Sequence, residues 1–243
     1  MRVPRFYCAT LAPSASPMVL PEEVFRHAVQ VLRMKPGAFL TLFDGQGLEY
    51  QAQLEQVDKR QATVNLQQQI NIDNESPLDI LLMQGISRGE RMDYAIQKAV
   101  ELGVKRIMPV ITERCNVQLS GDRAEKRLNH WQGVVVSACE QSGRSFLPEL
   151  LPITTLDTAL AEVNDDCKLV LDPEAVQGFS SVKKASQIAL LIGPEGGLSD
   201  AEVQQAIDDG FTGISLGPRI LRTETASAAA LAWCKLAGEI SDE

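Results

Sequence analysis

Nowhere in its 243 residues does the chain carry an apolar run near the roughly 18 residues that a membrane helix needs; the longest runs, such as 188–192, are strand-sized. The opening stretch MRVPRFYCATLAP has no apolar core of the kind a secretory leader uses, so the chain reads as cytoplasmic, with no membrane partner. Histidine is scarce, with only His27 and His130. The five cysteines (Cys8, Cys115, Cys139, Cys167 and Cys234) are scattered without a C-x-x-C pair. An odd number of widely spaced cysteines fits reduced thiols rather than a disulfide framework, and without a Cys/His cluster no metal site is expected. Positive charge is in deficit too. The 23 basic and 32 acidic residues give a net charge of −9, which at face value argues against a nucleic-acid partner. What is present, 44% hydrophobic and 23% charged residues, is ordinary for a folded chain able to bury a substantial core.

The charge deficit is local. Residues 1–75 hold 7 basic and 8 acidic side chains, residues 76–150 hold 10 and 9, and residues 151–243 hold 6 and 15. The last third therefore carries the whole excess, and the first 150 residues are free to present a basic face.

The hydropathy pattern divides the chain at a similar place. Residues 1–72 read as a small β-rich unit: Phe39-Leu-Thr-Leu-Phe43 alternates into the turn Asp44-Gly45-Gln46-Gly47, and 48–57 and 61–66 continue the alternation around a second turn at 58–60. One helix interrupts it over 22–32, with Val24, Phe25, Ala28, Val29 and Leu32 on one face. Residues 73–77 have a linker's composition. From Leu78 strands and helices alternate: strands over 79–83, 104–111, 167–171, 187–192 and 213–216, and helices over 90–102, 122–142, 200–209 and 225–237. Ser199 and Glu202 have the spacing of a capping box, and Gly103 and Gly210 stop helices. This is an α/β domain with a mostly parallel sheet over 78–243.

Two loops carry the chemistry. The first, Gly193-Pro194-Glu195-Gly196-Gly197, lies between a strand and a capped helix. Its glycines let backbone N–H groups approach a ligand closely, although a sharp strand-to-helix turn would use the same residues. No Gly-Lys-Ser/Thr follows, no G-x-G-x-x-G is present, and Glu195 sits inside the loop, so it is a poor cradle for phosphate. The second, Leu216-Gly217-Pro218-Arg219-Ile220-Leu221-Arg222-Thr223-Glu224, again joins a strand to a helix. Both fall at the carboxyl edge of the sheet, where open α/β folds bind ligands, and Leu171-Asp172-Pro173 ends another strand there.

These loops together resemble the RsmE family, bacterial 16S ribosomal RNA uridine-N3 methyltransferases of the SPOUT superfamily. Further motifs agree: Glu90-Arg91-Met92-Asp93, Gln97-Lys98-Ala99-x-Glu101-Leu102-Gly103, Glu113-Arg114, Ala138-Cys139-Glu140-Gln141-Ser142-Gly143-Arg144, Arg5-Phe6-Tyr7 and His27-x-x-x-Val31-Leu32-Arg33-Met34. The resemblance implies a PUA-like RNA-binding β-barrel ahead of a trefoil-knotted parallel-sheet domain. It also implies a homodimer, S-adenosylmethionine as cofactor and the 16S rRNA of the small ribosomal subunit as partner. On that reading Leu171, Asp172, Pro173, Gly193, Pro194, Glu195, Gly196, Leu216, Gly217, Ile220 and Leu221 would hold the cofactor. Arg222 and Glu224, then Arg144 and Glu140, are the candidate catalytic residues, and Arg2, Arg5, Arg33, Lys35, Arg88 and Arg91 would contact RNA. Two alternatives stay open from the residues themselves: a non-catalytic RNA-binding assembly factor that still binds the cofactor, and a nucleotide enzyme of the doubly wound class, which lacks any phosphate signature.

Overall fold

The computed structural model describes residues 3–13, 16–71, 74–115, 121–178 and 185–239. The chain forms two compact units, one of Met1–Glu75 with Cys139–Leu147 and one of Ser76–Ala138 with Pro148–Glu243. The return of 139–147 to the N-terminal unit departs from the linear division at 73–77.

The N-terminal unit contains β1 (Arg5–Tyr7), β2 (Met18–Val19), α1 (Glu22–Phe25) running into a π-helical turn (Arg26–Val31), β3 (Phe39–Phe43), β4 (Glu49–Val57) and β5 (Ala62–Ile70). The strands order as β1-β3-β4-β5-β2, with β1 parallel to β3 and the other pairs antiparallel. Alternation supplies the inward face: Leu40, Leu42, Ala52, Leu54 and Val64 pack with Val24, Phe25 and Ala28 from the helix. The expected inward position of Leu32 is not realised, since it is 47% exposed and Val31 is 63% exposed. The Leu32 amide bonds the His27 carbonyl five residues back, at 3.0 Å, and this wider turn shifts the helical phase that the spacing assumed.

Residues 139–147 are held here by polar bonds. Arg144 donates to both carboxylate oxygens of Glu75, Nε to Oε1 at 2.9 Å and the terminal nitrogen to Oε2 at 2.5 Å, with side chains 6% and 13% exposed. Glu49, itself buried, pairs with Arg5 at 3.0 Å and accepts from the Ser145 hydroxyl. The stretch taken as a linker is thus anchored at Glu75.

The second unit runs β6 (Asp79–Gly85), α2 (Glu90–Glu101), β7 (Arg106–Ile111), α3 (Asp122–Ser142, its last turn grouping with the other unit), β8 (Glu149–Leu150), β9 (Thr154–Thr155), α4 (Leu156–Glu162), β10 (Cys167–Leu171), β11 (Gln187–Ile192), α5 (Asp200–Asp208), β12 (Thr212–Ile214) and α6 (Thr223–Glu239). Its sheet is parallel throughout, in the order β12-β10-β11-β6-β7-β8, with β9 also on β7. The middle strands are almost wholly apolar because they are buried on both faces along nearly their whole length. The capping box forms as expected, and Gly103 ends α2 in the left-handed region at φ +84°. No pattern had marked α4, a two-turn helix capped by Thr155 that buries Leu156, Ala159 and Leu160.

Candidate active site

Strands β10, β11 and β12 are neighbours, and their carboxyl ends open into one cavity of about 540 Å³, the size of a small-molecule site. Leu171 ends β10 and Asp172 and Pro173 follow it; Gly193, Pro194, Glu195 and Gly196 follow β11; Leu216, Gly217, Ile220 and Leu221 follow β12. All eleven line the cavity, so the topology brings together three loops that the sequence separates by about twenty residues each. Gly193 must be glycine for close approach: a Cβ there would lie 2.8 Å from the Leu198 backbone nitrogen. The wall is made of aliphatic side chains and backbone. Among the described residues its charges are four carboxylates (Asp172, Glu174, Glu195 and Asp200) against two guanidiniums (Arg114 and Arg219), without a lysine. Such a lining repels phosphate and suits a ligand with cationic groups, which is what the sulfonium and amino group of S-adenosylmethionine require.

Two of the loop's supports were not legible in sequence. Arg114 donates from one terminal nitrogen to the carbonyls of Gly196 and Leu198, both at 3.1 Å, so a cation from the β7 end braces the glycine loop. Glu202 closes its capping box on Ser199 and also accepts the Glu113 amide at 2.7 Å, tying α5 to the same segment. Neither partner is within eighty residues, and the only local signal was the Glu113-Arg114 pair.

Glu195 points out of the loop toward α2, accepting from the Arg88 amide at 2.8 Å and the Arg91 guanidinium at 3.0 Å. Burial pushes its carboxyl up, but the Arg88 amide, its own backbone and Arg91 outweigh that and hold it below the usual value of 4.5. A lowered carboxylate stabilises the fold fully above its unfolded pKa, and loses the contribution as pH falls through the folded value. Glu195→Gln is therefore expected to destabilise at pH 7 by under about 1 kcal/mol, Arg91 being half exposed. Denaturant titrations should show that difference from wild type closing below about pH 4; a constant gap would contradict the pairing.

The four candidate catalytic residues do not line the cavity. Arg222 is exposed beside it, its guanidinium without a partner among the described residues. Glu224, in the first turn of α6, has a buried Oε2 that meets no donor among the described residues. Arg144 and Glu140 belong to the N-terminal unit. Arg144 is clamped by Glu75, and Glu140 accepts the Tyr7 amide at 3.0 Å. Burial pushes the Glu140 carboxyl up, against the opposing pull of that amide, His27 and Arg5.

Of the expected RNA contacts, Arg33 and Lys35 are exposed in the N-terminal unit and Arg88 is exposed in the second. Arg91 is exposed but paired with Glu195. Arg5 is a correction. Its side chain is 9% exposed, is paired with Glu49, donates to the Arg144 carbonyl and lies 4.9 Å from the Phe43 ring centre, so it cannot meet a phosphate. Arg2 lies outside the described residues. Burial pushes the Cys139 and Cys234 thiols up to about 12, which makes these two poor nucleophiles. Among the described residues no group of three His, Cys, Asp or Glu is placed to hold a metal, and no helix is long and apolar enough to cross a membrane.

The two-unit chain, with its parallel sheet and its glycine-lined cavity at the carboxyl edge, matches RNA methyltransferases in sequence over both units. The family model described as RNA methyltransferase domain matches residues 74–235, and that described as RNA methyltransferase PUA domain matches residues 20–67. Ribosomal RNA small subunit methyltransferase E of Buchnera aphidicola is 35% identical over 95% of this chain and 94% of its own length. The enzyme of that name from Neisseria gonorrhoeae, solved bound to S-adenosylmethionine, superimposes with a TM-score of 0.91 at 43% identity over 98% of each chain. A protein from Legionella pneumophila described as a methyltransferase, solved with the same cofactor, gives 0.95 at 40% identity over 98% of this chain and 99% of its own. The chain belongs to the ribosomal RNA small subunit methyltransferase E family.

Proposed function

We propose that this chain methylates N3 of a specific uridine in 16S rRNA, with S-adenosylmethionine held in the cavity of the second unit. The observation that carries the reading is the convergence of three glycine- and aliphatic-rich loops, with a net acidic lining, at the carboxyl ends of β10, β11 and β12. When bound there, the cofactor supplies a methyl group on a sulfonium. The eleven lining residues would enclose it through backbone groups and aliphatic contacts, and Arg114 would keep the glycine loop in shape.

The protein's task is chiefly alignment, because transfer is an in-line displacement: the N3–carbon bond forms as the sulfur–carbon bond breaks, leaving a neutral thioether. The N3 proton must also leave. Arg222, exposed at the mouth, suits stabilisation of the developing imide anion. Glu224, with one oxygen free, suits acceptance of the proton or orientation of Arg222. N3 lies on the pairing edge, so the target must be unpaired or turned out of its stack. Arg33 and Lys35, and in the second unit Arg88, are the cations suited to phosphate. We place the enzyme in the cytoplasm with its ribosomal substrate, as a homodimer. The PUA-like barrel and the trefoil knot of the SPOUT superfamily are its architecture on this reading.

The test is single-turnover transfer of labelled methyl to small-subunit RNA by wild type and Arg222→Ala, with cofactor affinity measured by calorimetry. Loss of one transition-state donor is expected to slow turnover about 100-fold or more while leaving cofactor affinity near wild type. Undiminished turnover removes Arg222 from the chemistry.

A further inference from the structure

The apolar run of β6, Ile80-Leu-Leu-Met83, is followed by a polar residue buried to the same degree. Gln84 is fully buried, where a side-chain amide is costly unless both of its ends are met. Both are. Its Nε2 lies 3.1 Å from the Gly85 carbonyl, 3.1 Å from the Thr223 hydroxyl and 3.5 Å from the Gly193 carbonyl. Its Oε1 lies 2.6 Å from the Ser227 hydroxyl, whose single proton is shared with the Thr223 carbonyl at 2.8 Å. The Thr223 hydroxyl passes its own proton to the Gly193 carbonyl at 2.7 Å. Two carbonyls and a hydroxyl already donating elsewhere face one end of the amide. Only an NH₂ satisfies that set, which fixes the orientation of Gln84 chemically.

The circuit joins three elements: the end of β6, the first residue of the glycine loop, and the first two turns of α6. Gly193 and Thr223 both line the cavity, whereas Gln84 and Ser227 lie behind it. We infer that Gln84 is a positioning residue of the cofactor site, setting the spacing between the loop after β11 and the start of α6. Glycine-rich loops gain close approach at the cost of backbone freedom, and cofactor binding must then order them. Fastening the Gly193 carbonyl to a central strand removes part of that cost before binding. The inference rests on the reading of this cavity as the S-adenosylmethionine site.

The test compares wild type, Gln84→Met, Gln84→Glu and Ser227→Ala by calorimetry with S-adenosylmethionine and by steady-state methylation. Gln84→Met keeps the volume but leaves the Gly193 and Gly85 carbonyls without their shared donor. It is expected to raise the cofactor Kd and KM about tenfold or more, with a smaller change in kcat at saturating cofactor. In Gln84→Glu an ionised carboxylate faces two carbonyl oxygens, so binding is weakest at neutral pH. It recovers in part as the pH is lowered, when a protonated acid regains one donor. Gln84→Met has no such recovery, and a residue that only stabilised the fold would move the melting temperature without this difference in pH profile. Ser227→Ala, which removes a partner of Gln84 without touching the cavity, is expected to weaken binding several-fold and carries the test should Gln84→Met not fold. Wild-type affinity in Gln84→Met or Ser227→Ala overturns the inference, as does a Gln84→Glu profile parallel to that of Gln84→Met. Failure of the wild type to bind S-adenosylmethionine overturns the functional reading itself, and this inference with it.

Discussion

Gly85→Ala is expected to weaken S-adenosylmethionine binding by at least tenfold although no side chain of the cavity is changed. Gly85 closes β6 and bears directly on the first turn of the glycine loop. A Cβ placed on it would lie 2.5 Å from the Pro194 nitrogen, 2.6 Å from Pro194 Cδ and 2.8 Å from the Gly193 carbonyl carbon. Two of those three atoms are backbone, so no rotamer change relieves the clash, and either the strand end or the loop must move. Adding a methyl group to a tightly packed site costs typically about 1–3 kcal/mol. The larger effect is on function, since the atoms displaced belong to the cavity wall, and a shift of about 1 Å in a binding geometry can cost on the order of 100-fold. The Gly193 carbonyl would also leave Thr223 and Gln84, uncoupling α6 from the loop. Gly133→Ala is the control: it lies in α3 with nothing within 4 Å of an added Cβ, and should leave affinity unchanged. Calorimetry on the two variants, with circular dichroism to establish folding, decides the matter. Equal affinities would show that the loop tolerates displacement.

The elements of the second unit were largely legible because their signals are local. Ser199 and Glu202 announce a helix start by spacing alone, and the short apolar strands are bounded by glycine, proline or charge. The three loops could be grouped from sequence because parallel strands place all their carboxyl ends on one edge, wherever they fall in the chain. What sequence could not supply is pairing across large separations. Arg114 braces Gly196 across 82 positions, and Gln84 meets Thr223 across 139. Nothing within a window of ten residues distinguishes either from a surface cation or a strand's polar end. Arg5 shows the opposite error. An arginine near the start of a small strand is expected to face solvent, yet alternation in a three-residue strand says nothing about Glu49 forty-four positions on, which draws the guanidinium inward. The grouping of Cys139–Leu147 with the N-terminal unit was hidden for the same reason. Glu75 is polar because it binds Arg144, sixty-nine positions on, which no local pattern announces.

Arg144→Ala is expected to cost the N-terminal unit about 3 kcal/mol or more, seen as a fall in melting temperature on the order of 10 °C. The side chain is 6% exposed and holds both oxygens of Glu75, itself 13% exposed. Removing the arginine leaves a largely buried carboxylate without its bidentate partner, a far greater penalty than losing a surface ion pair. The same substitution should reduce methylation, and on that result alone Arg144 would be assigned to catalysis. The geometry argues otherwise: a guanidinium occupied by a carboxylate within its own unit is fitted to hold 139–147 against the N-terminal sheet. The double variant Arg144→Met with Glu75→Leu separates the two roles, because replacing a buried pair by apolar groups of similar size is often neutral or stabilising. If melting temperature and methylation return together in the double variant, Arg144 acts through the fold. If the melting temperature returns while single-turnover methylation at saturating cofactor stays at the level of Arg144→Ala, the guanidinium itself takes part in the reaction, and the structural assignment fails.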